Sequence, residues 1–186
     1  MQSVSRNPLV WRSNEVVTTE THLAYLNLGS NIQPEHNLVQ TVELLLEYGD
    51  VLKISSAWES KSVGTKGPNY LNACVLFRTT LMQIDLKENI IRPIEAQMGR
   101  KRSENKYSSR TIDIDIVLFD DKPYNNKFWK FVFVIVPLAE IYPEYQNPIN
   151  QENIVATATR LRSKAWIEAR PEILNRFGGN RFKSQN

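Results

Sequence analysis

Between Arg110 and Phe119 the chain reads Arg-Thr-Ile-Asp-Ile-Asp-Ile-Val-Leu-Phe. Ile112, Ile114 and Ile116 alternate with Asp113 and Asp115, a period of two that only an extended strand turns into two faces. Such a strand buries its isoleucines on a core and points its carboxylates from the other side of the sheet. Two carboxylates on one face repel unless a cation lies between them, and a hard divalent ion suits oxygen donors. Just before the strand stand Arg100, Lys101, Arg102, Lys106 and Arg110. A carboxylate pair beside such a basic loop suggests a magnesium–polyphosphate site. A solvated pair next to a solvated charge run is the plainer alternative.

The 186 residues are enough for one domain with a sizeable core, and a monomer of this size can stand alone. With 41% apolar and 23% charged residues, the composition is that of an ordinary globular protein. The net charge of +3 permits a polyanionic ligand without demanding nucleic acid. Cys74 is the sole cysteine, so no intrachain disulfide can form, which fits a reducing, cytoplasmic setting. It lies in an apolar run and reads as a buried thiol. No apolar stretch is long enough to span a bilayer. Residues 1–20 read as a flexible leader, with a faint, Arg-poor likeness to a transit peptide, 21–176 as one domain and 177–186 as a basic tail.

Alternation over 22–28 predicts a first strand, broken by Gly29-Ser30-Asn31. Pro34 and Glu35 open a helix that runs to Gly49. Strands are expected over 51–58 and 70–79, separated by the Gly/Pro-punctuated loop 62–68. A helix follows over 82–98, which Pro93 should kink or restart. With the aspartate strand, the order is β-α-β-β-α-β. This predicts an α+β ferredoxin-like core, an antiparallel sheet with two helices on one face, and a C-terminal helical extension that includes a helix over 154–167.

Five ordered motifs then carry a resemblance: Tyr25-Leu-Asn-Leu-Gly-Ser-Asn31, Tyr70-Leu-Asn-Ala73, Gly99-Arg100, Arg110-Thr-Ile-Asp-Ile-Asp115 and Val136-Pro-Leu-Ala-Glu-Ile141. The chain resembles the 6-hydroxymethyl-7,8-dihydropterin pyrophosphokinase family over roughly residues 22–170. The resemblance implies pyrophosphate transfer from ATP to a pterin hydroxymethyl group in folate biosynthesis, with AMP released. It implies that Asp113 and Asp115 hold two magnesium ions and that Arg100, Arg102 and Arg110 act from a catalytic loop on phosphate. It further implies that Ser60, Val63, Tyr70, Asn72, Tyr107 and Phe133 bind the pterin, and that Arg92, Glu95, Arg110 and Ile116 lie near the nucleotide. The partners it implies are small molecules, pterin and ATP, and neither nucleic acid nor membrane.

The segment 120–136 is shorter than the family's usual connection. It lacks a Pro-His pair, and Phe131 falls where a basic residue is usual. A catalytically weakened pterin- or nucleotide-binding relative is therefore a second reading. A third is an RNA-binding module, on the ferredoxin-like order and Lys127-Phe128-Trp129-Lys130-Phe131.

Overall fold

A computed structural model describes residues 20–63, 67–100 and 109–177. The leader up to residue 19, the tail from 178, and the loop residues Arg102 and Tyr107 lie outside the described residues. The strands are β1 (His22–Ser30), β2 (Asp50–Ile54), β3 (Ala57–Ser60), β4 (Tyr70–Thr79), β5 (Asp113–Phe119), β6 (Lys122–Pro123) and β7 (Ile167–Arg170). They form one sheet in the order β6-β5-β1-β4-β3-β7, with β2 also paired to β4. The pairs β1–β4, β1–β5, β2–β4 and β3–β4 are antiparallel, as the ferredoxin-like order requires.

One face carries Ala24, Leu26, Leu28, Ala73, Val75, Phe77, Ile112, Ile114 and Ile116, packed with α1 (Pro34–Tyr48) and the helical run over 83–97. Helix α1 begins with Pro34, whose missing N–H costs nothing in a first turn. Its C-terminal Gly49 is held by crowding: a Cβ there would lie 2.6 Å from Phe77 Cζ and 2.8 Å from the Arg78 carbonyl oxygen. The second run is α2 (Gln83–Leu86), a π-helical turn (Lys87–Ile91) and α3 (Arg92–Gln97). The Arg92 N–H donates to the Lys87 carbonyl, five residues back, so the chain takes one extra residue just before Pro93 and restarts there. A restart is one of the two outcomes expected of a proline with no N–H to give.

The other face of the sheet is not open. Helices α4 (Val132–Ile141) and α5 (Ile154–Arg162) cover half of it, against Tyr25, Trp58, Cys74, Leu76, Val117 and Leu118. The two core helices thus lie on one face, as expected, and the C-terminal helical extension covers the other. Eight of the ten residues of α4 are buried, so it shows no amphipathic period that could announce a helix. A β-bulge interrupts the β1–β5 pairing: the register slips between Tyr25 and Leu26. Ile116 faces the first core, whereas Val117 and Leu118 both face the second.

Two boundaries also differ from the sequence reading. The strand expected over 51–58 is broken at Ser55-Ser56. The Ser55 hydroxyl accepts the Cys74 N–H at 2.9 Å, and the Ser56 N–H donates to Glu140. The helix expected over 154–167 ends at Arg162, and Ile167 begins β7, which pairs with β3 and covers its outer edge. Cys74 is fully buried, as expected.

Candidate active site

The uncovered half of the second face holds the site. Two cross-strand rows form its floor. Gly29 of β1 stands between Asn72 of β4 and Asp113 of β5; in the next row Asn27 stands between Cys74 and Asp115. Partners in an antiparallel sheet project from the same face, so each row presents its side chains together. With no side chain at Gly29, a hollow opens between an amide and a carboxylate. The fit is close, because a Cβ at Gly29 would lie 3.0 Å from Asn72 Oδ1.

The cavity above this floor has a volume of about 240 Å³. Its amide end is Asn72, whose Nδ2 donates to Ser60 Oγ at 3.3 Å with both groups buried. Lys61, Ser62 and Val63 make the lip next to it. Tyr70 forms one aromatic wall and Phe128, Phe131 and Phe133 the other. The rings of Phe131 and Phe133 stack with centroids 5.1 Å apart. The short 120–136 segment thus becomes β6, a 3-10 turn (Asn126–Lys130) and the start of α4, and three of its aromatics line the cavity. The acidic end is Asp113 and Asp115, joined by Arg110.

The Gly29-Ser30-Asn31 turn positions that arginine. Asn31 Oδ1 accepts the Arg110 N–H at 2.7 Å, and the Arg110 carbonyl accepts from the N–H groups of Asn31 and Ile32 at 3.1 and 3.2 Å. Asn31, which holds the Arg110 backbone, is not among the site residues expected from the sequence, although its motif was in view. Asp113 pairs with Arg110 and with Arg100, whose Nη2 lies 2.7 Å from Asp113 Oδ1. Arg100 also pairs with buried Glu95, and Glu95 accepts the Ile114 N–H at 2.9 Å. Burial raises the Glu95 pKa against these contacts. At Asp115, burial first and the neighbouring Asp113 charge second push the pKa up to about 7. Burial likewise raises the Tyr70 phenol.

The structure thus gathers Ser60, Val63, Tyr70, Asn72, Arg110, Asp113, Asp115 and Phe133 around one cavity. It adds Asn27, Lys61, Ser62, Phe128 and Phe131, which the site reading omitted. Arg100 stands behind Asp113, and Glu95 reaches the site only through Arg100 and the strand. Arg92 lies outside the cavity lining and pairs with Glu88 on its own helix. The Ile116 side chain is buried in the first core, on the opposite face, and the residue does not line the cavity.

For a metal, the donors on offer are hard oxygens: two carboxylates and the buried Asn27 amide oxygen, which has no hydrogen-bond partner among the described residues. Among the described residues no group of three or more His, Cys, Asp and Glu could cage an ion. Few protein oxygens, with positions left for phosphate and water, fit magnesium better than zinc or calcium.

A family model described as 7,8-dihydro-6-hydroxymethylpterin-pyrophosphokinase (HPPK) matches residues 25–143. A Synechocystis protein named 2-amino-4-hydroxy-6-hydroxymethyldihydropteridine pyrophosphokinase is 33% identical over 148 residues, 73% of this chain and 74% of that one. A protein of the same name from Aquifex aeolicus is 34% identical over 135 residues, 67% of this chain and 83% of the relative. Among solved structures, a Plasmodium falciparum HPPK-DHPS with pterin and p-hydroxybenzoate superposes with a TM-score of 0.63 at 15% identity. That match takes in 78% of this chain and 44% of the longer one, and likeness at this identity speaks for the fold.

Proposed function

We propose that this chain, which belongs to the 7,8-dihydro-6-hydroxymethylpterin-pyrophosphokinase family, transfers pyrophosphate from ATP to the hydroxymethyl group of 6-hydroxymethyl-7,8-dihydropterin, releasing AMP as a step of folate synthesis. The observation that carries this reading is the hollow at Gly29, with the Asn72 amide on one side and the Asp113 carboxylate on the other. A ligand fitting it has an amide-like edge at one end and a group to be phosphorylated at the other.

The pterin ring lies between Tyr70 and the Phe131–Phe133 pair, and the Asn72 amide reads its edge with a donor and an acceptor. This points the hydroxymethyl arm at Asp113 and Asp115. The cavity is on the scale of one bicyclic ring, so ATP reaches it with its phosphates from the Arg100 and Arg110 side. Magnesium held by Asp113 and Asp115 supplies neutralisation of the triphosphate and in-line alignment. Arg110, fixed through its backbone by Asn31, grips phosphate oxygens as charge moves toward the leaving AMP. Binding phosphate draws Arg110 and Arg100 from Asp113 and frees carboxylate oxygens for the ion. The roles given to Arg102, Tyr107, Arg100, Glu95 and Ile116 belong to the same proposal.

ATP is the co-substrate, and a cytoplasmic monomer belongs to the same proposal. No helix among the described residues is long and apolar enough to cross a membrane.

The test is direct. Purified protein with ATP, magnesium and 6-hydroxymethyl-7,8-dihydropterin should release AMP in step with pterin consumed. No AMP above background at high protein concentration would overturn the proposal.

A further inference from the structure

Asn27 is 4% exposed, lines the cavity, and among the described residues its Oδ1 has no hydrogen-bond partner. An orphaned buried carbonyl costs on the order of 1–3 kcal/mol, so its place in the floor asks for a ligand. Its cross-strand partners on the same face are Cys74 and Asp115. A thiol is a weak donor, and Asp115 can donate only in its protonated form, which is lost when an ion binds. Arg100 and Arg110 pair with Asp113 in the other row, and their charges also act on Asp115. The Asn27 oxygen therefore lies unpaired beside the Asp115 carboxylate, and a group that can satisfy both oxygens is a cation or the water bound to it.

We propose that Asn27 is a positioning residue for the divalent cation: its amide oxygen joins Asp115 in holding the ion, as a ligand or as acceptor for one of the ion's waters. This rests on the pyrophosphokinase reading for the identity of the ion, and it adds an oxygen donor outside the aspartate pair. Magnesium keeps several waters when it binds through few carboxylates, and an acceptor buried beside the site orients them.

The experiment titrates Mn2+, followed by its electron paramagnetic resonance signal, into wild type and Asn27→Ala with a non-hydrolysable ATP analogue present. Asn27→Ala should bind Mn2+ about tenfold more weakly. Its affinity for the pterin alone should stay within twofold, and the metal-free variant should melt no lower than wild type, because a buried unsatisfied group is gone. Unchanged Mn2+ affinity would overturn the proposal. Loss of pterin affinity instead would assign Asn27 to the pterin floor, and a lower melting temperature without a metal effect would make it structural; either outcome also overturns it. In the wild type, the Asn27 side-chain amide resonance should move on adding Mg2+ with the analogue and stay put with pterin alone, a check that needs no variant. These readouts do not depend on turnover: an ion site that binds as expected in a protein releasing no AMP would sink the activity and leave this inference standing.

Discussion

The backbone N–H of Ile114 donates to Oε1 of Glu95 at 2.9 Å, joining α3 to the aspartate strand midway between Asp113 and Asp115. Strand β5 pairs with β1 along one edge, and β6 meets its other edge only at Leu118 and Phe119. Glu95 therefore supplies the acceptor that the sheet does not, and its pairing with Arg100 holds a cation behind Asp113. Glu95→Ala should cost about 1–3 kcal/mol in urea unfolding, since a buried N–H loses its acceptor. Glu95→Gln keeps an oxygen for Ile114 and should cost less than half as much. Equal costs would show that the charge on Arg100, not the strand contact, carries the effect.

Gly29→Ala places a methyl group 3.0 Å from Asn72 Oδ1. Asn72 must then shift by a few tenths of an ångström, away from the position in which it reads a ligand. We expect pterin affinity to fall about tenfold, equivalent to about 1.4 kcal/mol. The cost in thermal stability should be smaller than that. Calorimetry with pterin alone measures the first and a melting curve the second.

Asp115 ionises at about pH 7 in the fold, well above an unfolded carboxylate. The neutral acid therefore favours folding: this contribution is full below about pH 4 and is lost as the pH rises toward 7. Metal-free protein should lose stability over that interval, by as much as about 3–4 kcal/mol if Asp115 alone decides it. Asp115→Asn, which cannot ionise, should flatten the profile and make the metal-free protein more stable than wild type at pH 8. A wild-type profile no steeper than that of the variant between pH 4 and 8 would refute the buried, repelled carboxylate. The same substitution should cut AMP release at least a hundredfold by removing a metal ligand, so stability and activity move in opposite directions.

Glu140 accepts from the Ser56 N–H, the Ser56 hydroxyl and the Trp58 indole, at 2.9, 2.8 and 2.7 Å. It fastens α4 to the break between β2 and β3, and α4 carries Phe133. Glu140→Ala should cost about 2–4 kcal/mol, as expected when several donors to a carboxylate lose their acceptor together. It should also loosen pterin binding through the displaced wall. A full-strength Phe133 wall in this variant, with pterin affinity unchanged, would show that the helix is held elsewhere.

The strands that bear the site were legible because their chemistry is local. Alternation over 112–116 assigns the isoleucines to a core and the aspartates to the other face whatever the partners, and Gly29-Ser30-Asn31 must turn. The strand over 70–79 was read to the residue, since Gly and Pro mark its start and its own alternation runs to Thr79. Helix α4 was not legible as a helix: buried on nearly every side, it has no polar stripe, and Phe131 could only be described as aromatic in place of a base. The break at Ser55-Ser56 was hidden as well, because a serine hydroxyl and a glutamate 84 residues further on do the work of a strand partner.

By itself, then, the sequence determined which side chains share a face and where the chain must turn, because both follow from short-range backbone geometry. It determined the acidic pair, the amide of Asn72 and the arginines as chemistry waiting to be assembled. Only the tertiary structure decided that Gly29 separates Asn72 from Asp113, that Asn27 sits beside Asp115 with its oxygen unpaired, and that Phe128 and Phe131 turn inward. Those relations depend on cross-strand register and on what covers the second face of the sheet, and both are set by contacts between residues far apart in the chain.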